Sequence, residues 1–460
     1  METVVASKKL RLALLLLMPW TAGAAAADRT VHAAVDAPAQ LKLNGGVRLR
    51  YENIAGQARA GLPRSEDAIN LRTNIFAEYR VGAVRVGGEL YDSRVYGAQP
   101  GTAIGTTEVN ALEPLQAYVA LDLKAPLGPG SRGSLQAGRF TLDLGSRRIV
   151  AADDYRNTLT GFTGVRLDLA GGGNTAMAFI SEPQRRLPDD QPSILRNEVK
   201  LDRERGDLLF WGAVAARVNA WRGAMIDGGY YGLQEKDFMG RPTRNRRLSV
   251  FDVRLVRNPT PGKLDFELEG ARQGGTVRAG LAQAAPELPV RAYFLHLRLG
   301  RQFTDAWKSR VSAEYDYATG ANGGDHYGRF DPLYGMRRGD FAPAGLYSAV
   351  TRTNLISPGL RLEVTPSSRV DAFATVRGLW LANAQDSFAD TGVRDPFGRS
   401  GRFAGTQVDA RVRYWLVKGV IRLEGDAVGL VKGRFLKHAP NRSNGDAATR
   451  YLSLNLSWLF

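Results

Sequence analysis

Long stretches of this 460-residue chain alternate residue by residue between apolar and polar side chains. Leu41, Leu43, Gly45, Val47, Leu49 and Tyr51 share one parity; Lys42, Asn44, Gly46, Arg48, Arg50 and Glu52 share the other. Ile69, Leu71, Thr73, Ile75, Ala77 and Tyr79 oppose Asn70, Arg72, Asn74, Phe76, Glu78 and Arg80 in the same way. The pattern returns with Trp307, Val311, Ala313, Tyr315 and Tyr317 against Lys308, Arg310, Glu314 and Asp316, and with Val408, Ala410, Val412 and Tyr414 against Gln407, Asp409, Arg411 and Arg413. Successive side chains of a strand point to opposite faces, whereas a helix repeats every ~3.6 residues. The chain is therefore read as all-β, with helix nearly absent.

About 18 such segments can be marked, each boundary good to a few residues. They lie at 41–52, 68–80, 83–94, 113–124, 133–142, 161–170, 174–182, 207–217, 222–233, 247–257, 262–273, 290–300, 307–318, 355–366, 369–382, 405–417, 420–432 and 450–460. Several reach ~10–14 residues, long for a soluble sandwich and enough to cross a bilayer at a tilt. The gaps between them alternate in length. Those after odd strands run from about 13 to about 36 residues, and those after even strands, such as Val81-Gly82, Ser367-Ser368 and Lys418-Gly419, are about 2–8. Long loops on one rim and tight turns on the other are the pattern of an outer-membrane barrel. The expected fold is a transmembrane antiparallel β-barrel of about 18 strands, with long extracellular loops, short periplasmic turns and both termini on the turn side.

The ends of the chain agree. Lys8, Lys9 and Arg11 precede the apolar run Leu12–Met18, and small residues lead to Ala25-Ala26-Ala27. This reads as a cleavable signal peptide over residues 1–27, too short in its apolar part to span a bilayer. A periplasmic segment over 28–40 and the barrel over 41–460 follow, in the outer membrane of a Gram-negative cell. At the other end Leu452, Leu454, Leu456, Trp458 and Phe460 share one face. A terminal aromatic on an apolar stripe is similar to the strand that the barrel assembly machinery reads. Tyr51 and Tyr79, at opposite rims, suit the two aromatic girdles.

Composition excludes most chemistry. The chain has no Cys, so thiol nucleophiles, thiolate metal sites and disulfides are absent, and its four His are scattered. No metal, cofactor or catalytic residue is expected. Gly128-Pro129-Gly130-Ser131-Arg132-Gly133 fits a phosphate-loop spacing, but a strand follows where the helix N-terminus would have to be, so it reads as a turn. His296 falls on the polar face and reads as pore-lining. Asp153-Asp154 and Asp189-Asp190 read as solvated loop charge.

The net charge of +16, carried mostly by Arg, calls for an anionic partner. Export from the cytoplasm removes nucleic acid from consideration and leaves anionic polysaccharide, small anions and the lipid and lipopolysaccharide of the membrane. Parity alone places Arg48, Arg72, Arg166, Arg361, Arg411 and Arg413 on the inner face. Ion pairs with inner acidic residues are the bland alternative: Arg166 with Asp168, Arg361 with Glu363, Arg411 with Asp409.

Two segments resemble the alginate export family. Gly138-Arg139-Phe140-Thr141-Leu142, followed by Gly145-Ser146-Arg147-Arg148-Ile149-Val150, is similar to its "G-R…G…R-(L/I)-V" segment. Arg329-Phe330-Asp331-Pro332-Leu333-Tyr334 is similar to its "F-D-P-L" segment, although the continuation Tyr334-Gly335-Met336-Arg337-Arg338 lacks a histidine. The resemblance implies a passive outer-membrane channel for an alginate-like polyuronate, with Arg139 and Arg147 or Arg148 facing the polymer; the alternating gap lengths add the expectation of a monomeric barrel. The phase of Arg139 is the open point, since it shares parity with the outward Leu135 and Ala137 unless a bulge near Gly138 reverses it. A general, oligosaccharide or organic-anion porin is the alternative, and a barrel-borne surface enzyme or adhesin the more distant one.

Overall fold

The structure is a computed structural model that describes residues 38–460 except 205, 239, 322, 338 and 444. The expected signal peptide and nearly all of the 28–40 segment lie outside the described residues. The ascending strands, which run toward the rim of long loops, are β1 (Leu41–Ala55), β3 (Val84–Tyr96), β5 (Arg132–Thr141), β7 (Asn174–Pro183), β9 (Ala224–Glu235), β11 (Leu264–Arg278), β13 (Arg310–Ala318), β15 (Val370–Trp380) and β17 (Ile421–Lys432). They alternate with β2 (Ser65–Val81), β4 (Asn110–Lys124), β6 (Gly161–Gly171), β8 (Leu208–Trp221), β10 (Arg247–Arg257), β12 (Glu287–Gln302), β14 (Leu355–Ser367), β16 (Phe403–Val417) and β18 (Ala448–Leu459). Two five-residue helices, α1 (Gln191–Leu195) and α2 (Arg434–His438), sit in loops.

Each strand pairs antiparallel with its sequence neighbours, and β1 closes the sheet on β18 with Leu49 opposite Leu456. The seam continues past the last strand residue: the amide of Phe460 donates to Gly45 O at 2.9 Å, and Gly45 N donates to Phe460 O at 2.8 Å. Closure leaves no edge, which a bilayer demands because exposed backbone groups find no partner in hydrocarbon.

Alternation assigns the two faces as expected. Leu49, Ile75, Leu360 and Leu454 stand on the outside, while Arg48, Asn74, Arg377 and Asn455 are buried inside. Trp307 is a correction. Lys308, with φ +48, turns the chain, so β13 begins only at Arg310 and Trp307 lies in the connecting turn. Turns such as 172–173, 222–223 and 368–369 are short, against loops at 142–160, 184–207, 319–354 and 381–402. The Gly-rich segment 125–131 is one of the turns, between β4 and β5.

The loops 142–160 and 319–354 do not stay at the rim but fold into the barrel. Ala151 N donates to Tyr334 O, Tyr334 N to Ile149 O and Met336 N to Arg147 O, each at 3.0 Å. The Tyr334 ring packs edge-on against Phe162 and Phe210, at centroid distances of 5.2 and 4.9 Å. The segments that carry the family resemblance thus pair with each other inside the sheet.

Candidate functional site

The inward loop 142–160 spans two unlike walls. On one side Arg48 donates to the carbonyls of Asp154 (3.0 Å) and Arg156 (2.7 Å), Arg72 to the same two (2.8 and 3.1 Å), and Arg50 to Tyr155 O (2.7 Å). On the other side Arg148 reaches Glu267 (2.6 Å) and Glu269 (2.5 Å) of β11 and Asp340 of the longer loop (2.7 Å). Burial alone would lower the Arg148 pKa, but Glu269 and Glu267 outweigh it and hold it above the ordinary value. Backbone carbonyls meet the basic wall and a guanidinium meets the acidic wall, so each end of the loop finds its complement.

Asp331 anchors the longer loop. Its carboxylate accepts from Arg246 at 2.7 Å, and its backbone exchanges two 3.0 Å bonds with the Gln273 amide. Phe330 is buried against Phe294. The "F-D-P-L" residues therefore hold the loop to β10–β12.

Below these loops, toward the turn rim, lies a cavity of about 310 Å³. Its lining contains eight arginines, Arg48, Arg50, Arg72, Arg147, Arg361, Arg411, Arg413 and Arg422, against two carboxylates, Asp154 and Glu424. Phe373 organises the far wall: the Arg361 guanidinium stacks 3.7 Å and that of Arg411 4.8 Å from its ring centroid. Stacking fixes the planes of both groups while leaving their N–H edges for other acceptors. A larger cavity of about 900 Å³ opens nearer the turns, its lining of mixed charge: five basic residues, Arg132 and Arg254 among them, against Asp122, Asp143, Asp168 and Asp227.

Of the arginines expected inside, Arg48, Arg72, Arg147, Arg361, Arg411 and Arg413 come together around the smaller cavity. Three do not. The register of β5 runs unbroken from Arg132 to Thr141 against β6 and from Arg132 to Arg139 against β4, so Arg139 keeps the outward parity of Leu135 although Gly138 adopts φ +124. Arg139 binds Glu113 (2.6 Å), Glu204 (2.8 Å) and the Asp202 carbonyl (3.1 Å) instead. Arg148 is inside but saturated, as above. Arg166 is held by both oxygens of Asp168, at 2.7 and 2.9 Å.

The acidic partners also need revision. Glu363 does pair with Arg361, at 3.2 Å, and shares itself with Arg310. Asp409 does not pair with Arg411; it accepts from Gln407 at 3.1 Å. Asp371 takes Arg413 (2.9 Å), directly across the β15–β16 pair, and Arg411 (3.1 Å), on the diagonal. His296 faces inward but is fully buried, bound to Asp316 at 2.8 Å, and so lines no open pore. Of the Asp153-Asp154 pair only Asp154 keeps an exposed carboxylate; Asp153 is buried against Arg156, at 2.8 Å. Arg50, Arg422, Asp371 and Phe373 were not singled out from the sequence, although their parity was legible there.

His296, Asp316 and Asp340 bring potential ligand atoms within 4.8 Å of one another. Asp340 already neutralises Arg148 and Arg352, and Asp316 faces Arg377 at 3.7 Å, so a cation there would meet three guanidiniums. The cluster reads as an ion-pair network.

A family model described as "Alginate export" matches residues 39–449. The chain belongs to the alginate export family. Among solved structures, it is similar to a BenF-like porin from Pseudomonas fluorescens Pf-5 (13% identity, TM-score 0.59, covering 92% of this chain and 99% of that one). It is likewise similar to Pseudomonas aeruginosa OccK2 (OpdF) in complex with glucuronate (12% identity, TM-score 0.56, 91% and 98% covered) and to P. aeruginosa OccD3 (OpdP) (11%, 0.55, 92% and 91%). No curated protein matches the chain. Family and fold together are those of an outer-membrane β-barrel channel rather than of an enzyme.

Proposed function

We propose that this member of the alginate export family passes an anionic polysaccharide, an alginate-like polyuronate, out of the periplasm through the arginine-lined cavity. The observation that carries the reading is the excess of eight arginines over two carboxylates in one cavity beneath the inward loops. A polyuronate bears about one carboxylate per sugar and must shed water to enter a constriction; arginine replaces that water with a planar fork of donors. Confinement of a positive surplus concentrates anions, and acidic neighbours such as Asp371 and Glu424 keep each contact weak enough to release. Transport is passive, following the polymer's gradient, and each monomeric barrel encloses its own path.

Uptake of small organic anions is the second reading, supported by the two loops that narrow the lumen. Proteoliposomes separate the two. Oligouronates of increasing length should cross faster than neutral oligosaccharides of equal length if the polymer is the cargo. Passage limited to monomers and dimers, with longer chains excluded, favours the uptake reading.

A further inference from the structure

The outer wall carries a second basic feature that the channel does not use. Near the long-loop ends of β10, β11 and β12 the outward row ceases to be apolar. Phe251, Arg272 and Tyr293 lie side by side across the three strands, with Ser249, Gly274 and Arg291 in the next row and Arg247, Thr276 and Pro289 in the one beyond. Strands are ~4.8 Å apart and same-face neighbours along a strand about 7 Å, so the three arginines occupy one patch small enough for a single headgroup. All three are exposed. Phe251 is 60% and Tyr293 53% exposed, which sets the patch at the aromatic girdle, the depth of lipid headgroups. On its own strand Arg272 stands between Gly270 and Gly274, whose missing side chains leave its flanks open.

Arginines at the opposite, turn-side rim of the same strands are occupied. Arg257 donates to Leu264 O at 2.7 Å and stacks on Phe266, and Arg301 lies over Phe303. Arg247 and Arg272 form no ion pair among the described residues; Glu287, at the margin of the patch, accepts from Thr276 Oγ1 at 2.8 Å and keeps its charge, so the three guanidiniums of the patch stand against one marginal carboxylate on the outer face of these strands. Asp325 lies close enough to influence Arg291 and is itself paired with His326. A cluster with a cationic surplus at headgroup depth matches an anionic lipid. The long-loop rim faces the outer leaflet, so the complementary lipid is a phosphorylated glycolipid of that leaflet.

We infer that Arg247, Arg272 and Arg291 form a binding site for the phosphate groups of the lipid A portion of lipopolysaccharide, on the outer wall of β10–β12. The inference rests on the outer-membrane placement of the barrel but not on the identity of its cargo.

Native mass spectrometry of the full-length barrel with added diphosphorylated lipid A, and with the same lipid after removal of its phosphates, tests it. Wild-type protein should retain the phosphorylated lipid and not the dephosphorylated one. The R247A/R272A/R291A variant should lose retention by about tenfold or more, while R257A/R301A at the other rim should keep it. The single R272Q variant, checked for heat-modifiable mobility, should show an intermediate loss and guards against misfolding of the triple variant. Equal retention by wild type and variants, or equal retention of the dephosphorylated lipid, overturns the site. So does a triple variant that loses oligouronate binding while keeping lipid A.

Discussion

Tyr334 brackets Val150 from the neighbouring loop: its amide donates to Ile149 O and its carbonyl accepts from Ala151 N, both at 3.0 Å. This short parallel ladder joins the two loops inside the barrel, and the rings of Phe162 and Phe210 hold Tyr334 against the wall. Replacing Tyr334 with Ala removes the ring that seats the ladder. Single-channel records in planar bilayers should show larger conductance and frequent fluctuations between levels. A variant with unchanged, quiet conductance would mean that the ladder does not restrict the lumen.

Among the described residues, Arg148 is the one side chain that ties this loop to Glu267, Glu269 and Asp340 together. Arg148→Met leaves buried carboxylates undercompensated, at a cost of about 3–5 kcal/mol to loop docking. Amides of residues 147–152 should exchange hydrogen much faster in the variant, with β-strand amides unaffected. Protection equal to wild type would show that the backbone ladder alone holds the loop.

Asp202 gives a pH dependence outside the membrane. Burial, reinforced by the nearby negative charge of Glu113, pushes its carboxyl up to about 7. The folded state therefore binds a proton that the unfolded loop releases near the ordinary carboxylate value, so docking of this loop weakens as pH rises from about 4 to about 7 and levels off above. Hydrogen exchange in 184–207, corrected for intrinsic rates, should be slower at pH 5 than at pH 8. Asp202→Asn should abolish that difference, and a difference that persists in the variant would assign it to another group.

Barrel closure depends on Phe460 and Gly45. A side chain at position 45 would meet the Asn74 carbonyl of β2 and the Phe460 ring of the seam, whose Cε2 lies 2.7 Å from that position. Phe460→Ala and Gly45→Val should each lower the yield of heat-modifiable barrel in the membrane, by loss of the terminal stripe in one case and a clash with both the β2 backbone and the seam in the other. Normal folded amounts in both would place the closing contacts elsewhere.

The fold was legible because a barrel writes itself into sequence as parity and gap length, both local signals. β10 runs from Arg247 to Arg257, the same span the alternation marks. Trp307 misled because a positive-φ Lys308 interrupts a pattern that otherwise reads straight through. The cavity was legible in part for the same reason: Arg48, Arg361 and Arg411 follow from parity. What parity cannot convey is which inward side chain finds a partner. Arg411 turns to Asp371 across the sheet rather than to Asp409 on its own strand, and Arg148 is consumed by β11, which lies 119 residues away in the chain. The descent of two loops into the lumen left no periodic trace either, because loops carry none.

Ion selectivity measured as a reversal potential across a salt gradient, with oligouronate block recorded on the same channels, bears most directly on the arginine-lined path. Wild-type channels should prefer anions and be blocked by oligouronates far more strongly than by neutral oligosaccharides of equal length. R411E/R413E should shift the reversal potential toward cations and relieve the block, since it inverts two charges beside Asp371 in the cavity wall. A wild-type channel that prefers cations and is blocked equally by neutral sugars and uronates would contradict the polyanion path.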